Sequence, residues 1–214
     1  LFARERMAKR GCLVDEDTGI VRLRSALVEE LCRQFPPTFT FRGRDPAFDK
    51  TLPDDAPVIS TGSSAPNIID PVTGELRRAR SDDIARIAHL VNELDGYDVF
   101  SISTLADDAP EGQFSLSRFY PALKNCLKPV RTAVLNPEEA LQVLELGELI
   151  AGSKGAYWER QFITFGACNI VSALTMDYDS TEMWMFFNDR DVPVYGGIAP
   201  ISGLNYPFTL PGRS

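Results

Sequence analysis

Four apolar strand candidates recur along the chain at an almost constant spacing. Their starts lie near residues 98, 130, 161 and 193, so successive strands begin 32, 31 and 32 residues apart. Each interval also contains a segment with helical periodicity. A strand, a helix and a second strand at this spacing predict right-handed crossovers between neighbours of a parallel sheet. The candidate strands are Asp98–Ser103, Val130–Leu135, Gln161–Gly166 and Pro193–Ile198.

Two α/β architectures share this repeat, and the turn after the first strand favours one of them. A (β/α)8 barrel of about 250 residues uses about 31 residues for each unit. An open doubly wound sheet has a similar period, but its nucleotide-binding form has a Gly-rich turn after the first strand. This chain has Ser103–Asp108 there. We therefore predict about half of a TIM (β/α)8 barrel at residues 81–214, with an N-terminal α+β cap at residues 1–80.

Turn and cap residues predict the smaller elements. Residues 1–52 have the pattern of a helix, a hairpin, a helix and a strand, and residues 17–19 (Asp-Thr-Gly) mark the hairpin turn. A second hairpin turn is predicted at residues 70–74. Pro121 must lie in the first turn of its helix or kink that helix. Cap residues predict helix starts at Ser25, Ser81 and Asn136, and a further helix is predicted to begin at Ser180.

The composition excludes two classes of partner. The chain carries 22 Lys and Arg against 30 Asp and Glu, which gives a net charge of −8 without a basic stripe. A nucleic-acid partner is not expected, because phosphate binding needs a positive surface. The longest uncharged stretch, Gln161–Met176, is too short and too polar to span a bilayer, so no membrane segment is predicted.

The cysteines and the histidine argue against metal and thiol chemistry. The single histidine, His89, cannot form a His cluster, and the four cysteines have no metal-like spacing, so no metal site is predicted. Reduced cysteines and the lack of a secretory leader pattern predict a cytoplasmic protein. The start at Leu1 rather than at Met predicts a fragment. The cysteines are Cys12, Cys32, Cys126 and Cys168.

Polar residues that follow the strands are candidates for a site, because parallel α/β folds bind ligands outside the carboxyl ends of their strands. Asp107 and Asp108 follow the first strand and could bind a cation or position a polar substrate, although a solvated loop that leads into a helix is the commoner explanation for such residues. Asn136 follows the second strand, where its capping role is a sufficient explanation. After the third strand, Asn169 is a better polar candidate than Cys168, because buried thiols are commonly inert.

Aromatic residues near the fourth strand suggest a second set of candidates. Residues 196–212 are dense in Gly, Pro and aromatic side chains, which is typical of a functional loop. Aromatic faces attract a desolvated quaternary ammonium. The rings near this rim are Tyr178, Tyr195, Tyr206 and Phe208, whereas Trp184, Phe186 and Phe187 are predicted to be core residues.

Four passages together resemble the trimethylamine methyltransferase family, which includes glycine betaine methyltransferases. The resemblance extends from Leu1 to Gly212 but covers only part of a family member. Pro211 departs from the family pattern, because a small residue is expected in its place. The four passages are Gly62–Asp70 with Thr73–Arg77, Ala106–Pro110, Leu123–Pro129 and Gly203–Gly212.

The resemblance implies a TIM barrel that moves a methyl group from a methylated amine to the cobalt of a separate corrinoid protein. The corrinoid (cobalamin) is then carried by that partner, and no cofactor is bound directly. The donor would be trimethylamine or a quaternary amine such as glycine betaine. The trimethylamine branch uses pyrrolysine, which is expected in the half of the barrel that this chain lacks.

We assign substrate-binding roles by loop position and leave the catalytic residues unassigned. Asp107 and Asp108 would contribute charge around the ammonium. Asn169 and Ser202 would orient a polar tail. The rings predicted to line the pocket are Tyr195, Tyr206 and Phe208.

Two other functions stay open. One is a non-catalytic module that binds betaine-like solutes or another chain, and the other is an inactive truncated product. In a half-barrel the first and fourth strands would expose their edges, which predicts association into homo-oligomers or aggregates.

Overall fold

A computed structural model describes the backbone of residues 2–62, 64–172 and 175–198. The chain divides into two compact units, and the division falls between Phe39 and Thr40. The observed division separates two compact units, whereas the predicted division after residue 80 separates a cap from a partial barrel. The predicted division stays a prediction.

The N-terminal unit has the predicted order of elements. Helix α1 (Phe2–Lys9) leads into a hairpin, and helix α2 (Ser25–Cys32) follows. The hairpin strands are β1 (Leu13–Val14) and β2 (Val21–Arg22), which pair antiparallel. In the turn, the carboxylate of Asp15 accepts hydrogen bonds from two backbone N–H groups. The prediction of a helix, a hairpin and a helix is confirmed.

Two small sheets precede the repeat. Strand β3 (Phe39–Phe41) pairs with β4 (Lys50–Leu52), and a 3-10 turn at Pro46–Phe48 lies between them. Strands β5 (Asn67–Ile69) and β6 (Leu76–Arg78) form an antiparallel hairpin. The turn signal at residues 70–74 is therefore confirmed.

The main sheet contains the four predicted strands in parallel. These strands begin at residues 100, 130, 163 and 194, so the observed spacings are 30, 33 and 31 residues. Neighbours in the sequence are neighbours in the sheet, in the order β7-β8-β9-β11. A short strand, β10, pairs antiparallel with the end of β9. The strands are β7 (Phe100–Ser101), β8 (Val130–Ala133), β9 (Ile163–Ser172), β10 (Thr175–Met176) and β11 (Val194–Ile198).

Helices connect these strands and complete a mixed α/β fold. The strand order contains no reversal among the four parallel strands, whereas a doubly wound sheet reverses at its switch point. A partial TIM barrel agrees with this order and stays a prediction. Helix α3 (Ser81–Glu93) precedes β7, and the connecting helices are α4 (Phe114–Asn125), α5 (Pro137–Ala151), α6 (Lys154–Glu159) and α7 (Tyr178–Asn188).

An additional segment covers the edge of β7. Residues on both sides of position 63 run parallel to β7, with bridges that join Ser60 to Val99 and Ala65 to Thr104. The Ala65 N–H donates to the Ser103 carbonyl at 2.9 Å. The prediction of a free edge at the first strand is therefore wrong, because a segment without strand periodicity pairs there.

The core lies between one face of the sheet and the helices. Large residues from β7, β8 and β9 pack against apolar residues of α3, α4 and α5. Cys126 is buried in this core, and burial raises the pKa of its thiol to about 11. The largest fully buried members include Phe100, Val130, Ile163, Phe165, Ile84, Phe119 and Leu123.

The observed helix starts agree with the starts predicted from the sequence only in part. Asn136 caps α5 as predicted, because its side chain accepts a hydrogen bond from the Glu139 N–H. Ser81 does not cap α3, since its hydroxyl donates to Asp108 instead. Helix α7 begins at Tyr178 and not at Ser180, because Asp177 provides the cap.

The position of Pro121 in its helix contradicts one of the two predicted positions, the one in the first turn. Pro121 lies in the second half of α4 and not in the first turn. The side-chain amide of Asn125 donates to the Pro121 carbonyl at 2.8 Å. This bond satisfies a carbonyl close to the C-terminal end of the helix.

Lys128 closes the C-terminal end of α3. Its ammonium is buried, with 5% of the residue exposed, and donates to the carbonyls of Val91, Leu94 and Tyr97 at 2.9, 2.5 and 2.8 Å. A cation is favoured there, because the last carbonyls of a helix carry partial negative charge. This single side chain therefore fixes the turn between α3 and β7.

We predict that Lys128→Met lowers the free energy of unfolding by about 3 kcal/mol, because three carbonyls lose a charged donor. Urea denaturation measures this change. Lys124→Met is the control, because Lys124 is exposed and only lies over the Tyr120 ring. Equal stabilities for the two variants would contradict the role given to Lys128.

Candidate functional site

The carboxyl ends of the four parallel strands meet at one edge of the sheet, where ligands bind in this class of fold. Three groups of polar residues lie near this edge or on the adjoining sheet face. An acidic group surrounds the start of α3, a second group lies on the sheet face opposite the helices, and a third is buried between α4 and α5.

The predicted aspartates form the first group, and both have protein partners. Asp107 accepts a hydrogen bond from Arg78 Nε at 2.9 Å, and 46% of its side chain is exposed. Asp108 accepts from the Ser81 N–H at 2.8 Å and from the Ser81 hydroxyl at 2.9 Å. Burial acts to raise the pKa of Asp108, but the bonds from Ser81 outweigh it, and the pKa lies below its usual value.

Arg77 connects two further carboxylates in the same group. Its guanidinium contacts Asp70 at 2.9 Å and binds both carboxylate oxygens of Asp83, at 2.7 and 2.8 Å. Backbone N–H groups, led by that of Val72, and Arg77 lower the pKa of Asp70 to about 2. The bond from Arg77 outweighs burial and holds the pKa of Asp83 below its usual value. The acidic group thus fastens the β5–β6 hairpin to α3.

The second group, here called the inner-face cluster, consists of Ser60, Arg131, Gly166 and Tyr195. Val130 and Phe165 point into the helix-side core. Because side chains alternate along a strand, Arg131 and Gly166 lie on the opposite face. Gly166 pairs with Tyr195 of β11.

Contacts between side chains define this cluster. The Arg131 Cζ lies 4.5 Å from the centroid of the Tyr195 ring, and Arg131 Nη2 donates to the Ser60 hydroxyl at 2.9 Å. The Ser60 hydroxyl donates in turn to the Thr61 carbonyl at 3.0 Å. A Cβ at Gly166 would lie 2.5 Å from the Tyr195 hydroxyl oxygen. Glycine at 166 therefore makes the space that the tyrosine ring occupies.

The third group, here called the buried polar cluster, consists of Ser115, Arg118, Thr132 and Glu139. Arg118 Nη2 donates to the Thr132 hydroxyl at 2.6 Å, and the Glu139 carboxylate accepts from the Ser115 N–H at 2.7 Å. Burial lowers the pKa of Arg118 to about 10, while electrostatic interaction with Tyr195 acts in the opposite direction. Arg118 Nε and the Ser115 hydroxyl are buried without a hydrogen-bond partner.

The arginines of these two clusters are functional candidates that the sequence analysis missed. The sequence does contain an indication for Arg131, because a charged residue inside an apolar strand is unusual and suggests a specific role. Arg118 lies three residues after Ser115, so the two share one face of α4. Nothing local indicates which groups either guanidinium would meet.

The remaining candidates are placed only in part. Asn169 belongs to β9, and its side chain lies outside the described residues, as do Ser202, Tyr206 and Phe208. Tyr178 is 70% exposed at the start of α7. The indole of Trp184 donates to the Ala167 carbonyl at 3.2 Å. His89 is exposed on α3.

Two further properties concern the described part of the chain. No three His, Cys, Asp or Glu side chains within it are grouped so that they could hold a metal ion. Within the same residues, no helix is long and apolar enough to cross a membrane.

Comparisons with known proteins point to one family. The model of the family described as trimethylamine methyltransferase (MTTB) matches residues 2–213. The chain is 24% identical, over 210 residues, to trimethylamine methyltransferase MttB of Desulfitobacterium hafniense. This match covers 98% of the chain and 42% of the relative, so the chain spans less than half the length of that relative.

We predict that Gly166→Ala destabilises the protein by about 1–3 kcal/mol, because the added methyl group displaces the Tyr195 ring. Thermal unfolding and near-ultraviolet circular dichroism measure the change. Gly155→Ala in α6 is the control, because a Cβ there meets no atom within 4 Å. This control is expected to be neutral or slightly stabilising. An unchanged near-ultraviolet spectrum for Gly166→Ala would contradict the contact.

Acid is expected to weaken the acidic group. A carboxylate whose pKa is lowered by folding stabilises the protein above its unfolded pKa, and this contribution is lost as the pH falls through the folded pKa. We predict that Asp83→Asn is less stable than the wild type at pH 7 and that the difference narrows as the pH falls below about 4. Denaturation at several pH values measures this difference.

The neighbouring Asp82→Asn serves as the control, because Asp82 only pairs with Arg86 on the exposed surface. Its effect is expected to be below about 1 kcal/mol at every pH. A difference between Asp83→Asn and the wild type that is constant from pH 7 to pH 2 would show that the Asp83 charge contributes nothing.

Proposed function

Because the chain belongs to the trimethylamine methyltransferase family, we propose that it forms part of an enzyme that takes a methyl group from a methylated amine. The family match over residues 2–213 is the observation that carries this proposal. The parallel sheet with connecting helices supports it, because such folds present a ligand site at the carboxyl edge of their strands. The proposed donors are trimethylamine and quaternary amines such as glycine betaine.

In this proposal the acceptor is the cobalt of a corrinoid that a separate protein carries. When that partner is bound, its reduced cobalt supplies the nucleophile for the methyl group. The proposed role of the separate protein is to hold the cobalt. The tasks of this chain are to bind the amine, orient one methyl group outward and exclude water.

The binding roles proposed for individual residues follow their positions. Tyr195 contacts Arg131 on the inner face, and its proposed role is to line the amine pocket there. Asp107 and Asp108 fix the loop after β7 through their bonds to β6 and α3 and add negative charge at this edge. The roles proposed for the residues outside the described side chains are unchanged, and these residues are Asn169, Ser202, Tyr206 and Phe208.

Acid–base chemistry is not required of this chain for a quaternary donor. A quaternary amine that loses a methyl group leaves as a neutral tertiary amine, so the leaving group needs no proton. Positioning and desolvation then provide the rate enhancement. The exposed position of His89 on α3 agrees with this division of tasks.

We expect the product of the complete reading frame that encodes this chain to transfer methyl groups from one of these donors to reduced cobalamin. Methylcobalamin is followed by its absorbance, and the demethylated amine is identified by mass spectrometry. Equal amounts of both products are expected. The heat-denatured protein controls for reaction of the donor with free cobalamin.

Two results would contradict the proposal in different ways. Binding of the amine without formation of methylcobalamin, even with the cognate corrinoid protein present, would indicate a non-catalytic binding module. Absence of both binding and transfer for a protein that unfolds cooperatively would remove methylated amines as ligands.

A further inference from the structure

The inner-face cluster contains the positively charged guanidinium of Arg131. A site for a simple ammonium ion would need a negative charge there instead. Arg131 forms no salt bridge among the described residues. Its Nε is buried and has no hydrogen-bond partner. The chain carries an excess of eight negative charges, yet none of its described carboxylates neutralises this guanidinium.

The contacts of Arg131 fix the plane of its guanidinium. One face lies against the Tyr195 ring at 4.5 Å, and Nη2 is held by Ser60. The Phe41 ring lies 6.0 Å from the same carbon. A guanidinium oriented in this way presents a planar set of donors that matches a carboxylate, which it can bind through two parallel hydrogen bonds.

Arg118 provides no counter-charge for Arg131. It is 3% exposed, and its Nε has no hydrogen-bond partner. It lacks a salt bridge among the described residues, because its bonds go to the Thr132 hydroxyl and to the Ala133 carbonyl. Since Thr132 and Arg131 are neighbours in β8, their side chains lie on opposite faces of the sheet. The positive charge that a ligand on the inner face would meet is that of Arg131.

We propose that Arg131 is a specificity-determining residue that binds the carboxylate of a zwitterionic N-methylated amine. This inference rests on the proposed function, and it narrows the substrate class to amines that carry an acidic group. The Tyr195 ring and the Ser60 hydroxyl position the guanidinium. A donor without a carboxylate, such as trimethylamine, gains nothing from Arg131.

The test measures binding of three probes to the intact chain by isothermal titration calorimetry. Glycine betaine carries both charges. The probe 3,3-dimethylbutanoate has the same shape and the carboxylate but no ammonium, and tetramethylammonium has the positive charge alone. We expect glycine betaine to bind most tightly and tetramethylammonium to bind most weakly.

Variants of Arg131 identify its part in this binding. Arg131→Gln is expected to weaken the binding of glycine betaine and of 3,3-dimethylbutanoate about tenfold or more. It is not expected to weaken the binding of tetramethylammonium, because that probe gains nothing from the guanidinium. Arg131→Lys keeps the charge but loses the planar donors, so an intermediate loss is expected. Arg86→Gln is the control, since Arg86 is an exposed residue of α3. Thermal unfolding of each variant separates a binding defect from a folding defect.

Each outcome decides between the inference and the proposed function. If glycine betaine and tetramethylammonium bind with equal affinity, and Arg131→Gln changes neither affinity, the inference is wrong. That result would still agree with the proposed function. Equal, Arg131-dependent binding of glycine betaine and 3,3-dimethylbutanoate would support the carboxylate site but contradict a role for the amine. If none of the three probes binds to the folded chain, the inference is wrong.

Discussion

The parallel pairing of β9 with both β8 and β11 determines where Arg131, Gly166 and Tyr195 of the inner-face cluster lie. This register places Arg131 beside Thr164 and places Ala133, Gly166 and Tyr195 in one row. Side chains alternate between the two faces of each strand, so a shift by one residue would exchange the core and the inner face. The inner-face cluster is thus a consequence of the same ladder that buries Phe165 against the helices.

The sequence predicts what is local and misses what is distant. The strand repeat, the two hairpins and the Asn136 cap were predictable, because each depends on residues within about one turn or one strand. The bond from Ser81 to Asp108 joins residues 27 positions apart, and that from Arg131 to Ser60 joins residues 71 positions apart. The spacing of apolar residues along the sequence does not predict pairs so far apart. For this reason the prediction that Ser81 caps α3 was wrong. For the same reason Arg131 was not identified as a candidate.

The structure gives protein partners to the charges that the loop sequences bring to attention. Asp107 and Asp108 were expected to contribute charge around an ammonium, a role that stays a prediction, and both carboxylates form bonds within the protein. Their partners, Arg78 and Ser81, connect the β5–β6 hairpin and α3 to the loop after β7. The arginines of the inner-face and buried polar clusters lack such partners. On the inner face the charge of Arg131 is therefore positive and without a described counter-charge, although the chain as a whole is acidic.

The depth of Arg131 gives a direction to a bound zwitterion. The Cα of Arg131 lies two residues before Ala133 in β8, about 6.6 Å further from the carboxyl edge than the row of Gly166 and Tyr195, and its guanidinium lies against the Tyr195 ring. In the proposed complex, a carboxylate held by Arg131 would leave the ammonium to extend past the Tyr195 ring toward that edge. The aspartates lie at the same edge, and under the same proposal their charge would stabilise the ammonium without competing for the guanidinium. One methyl group would then point away from the sheet, toward the separate protein that the proposed function gives as the acceptor.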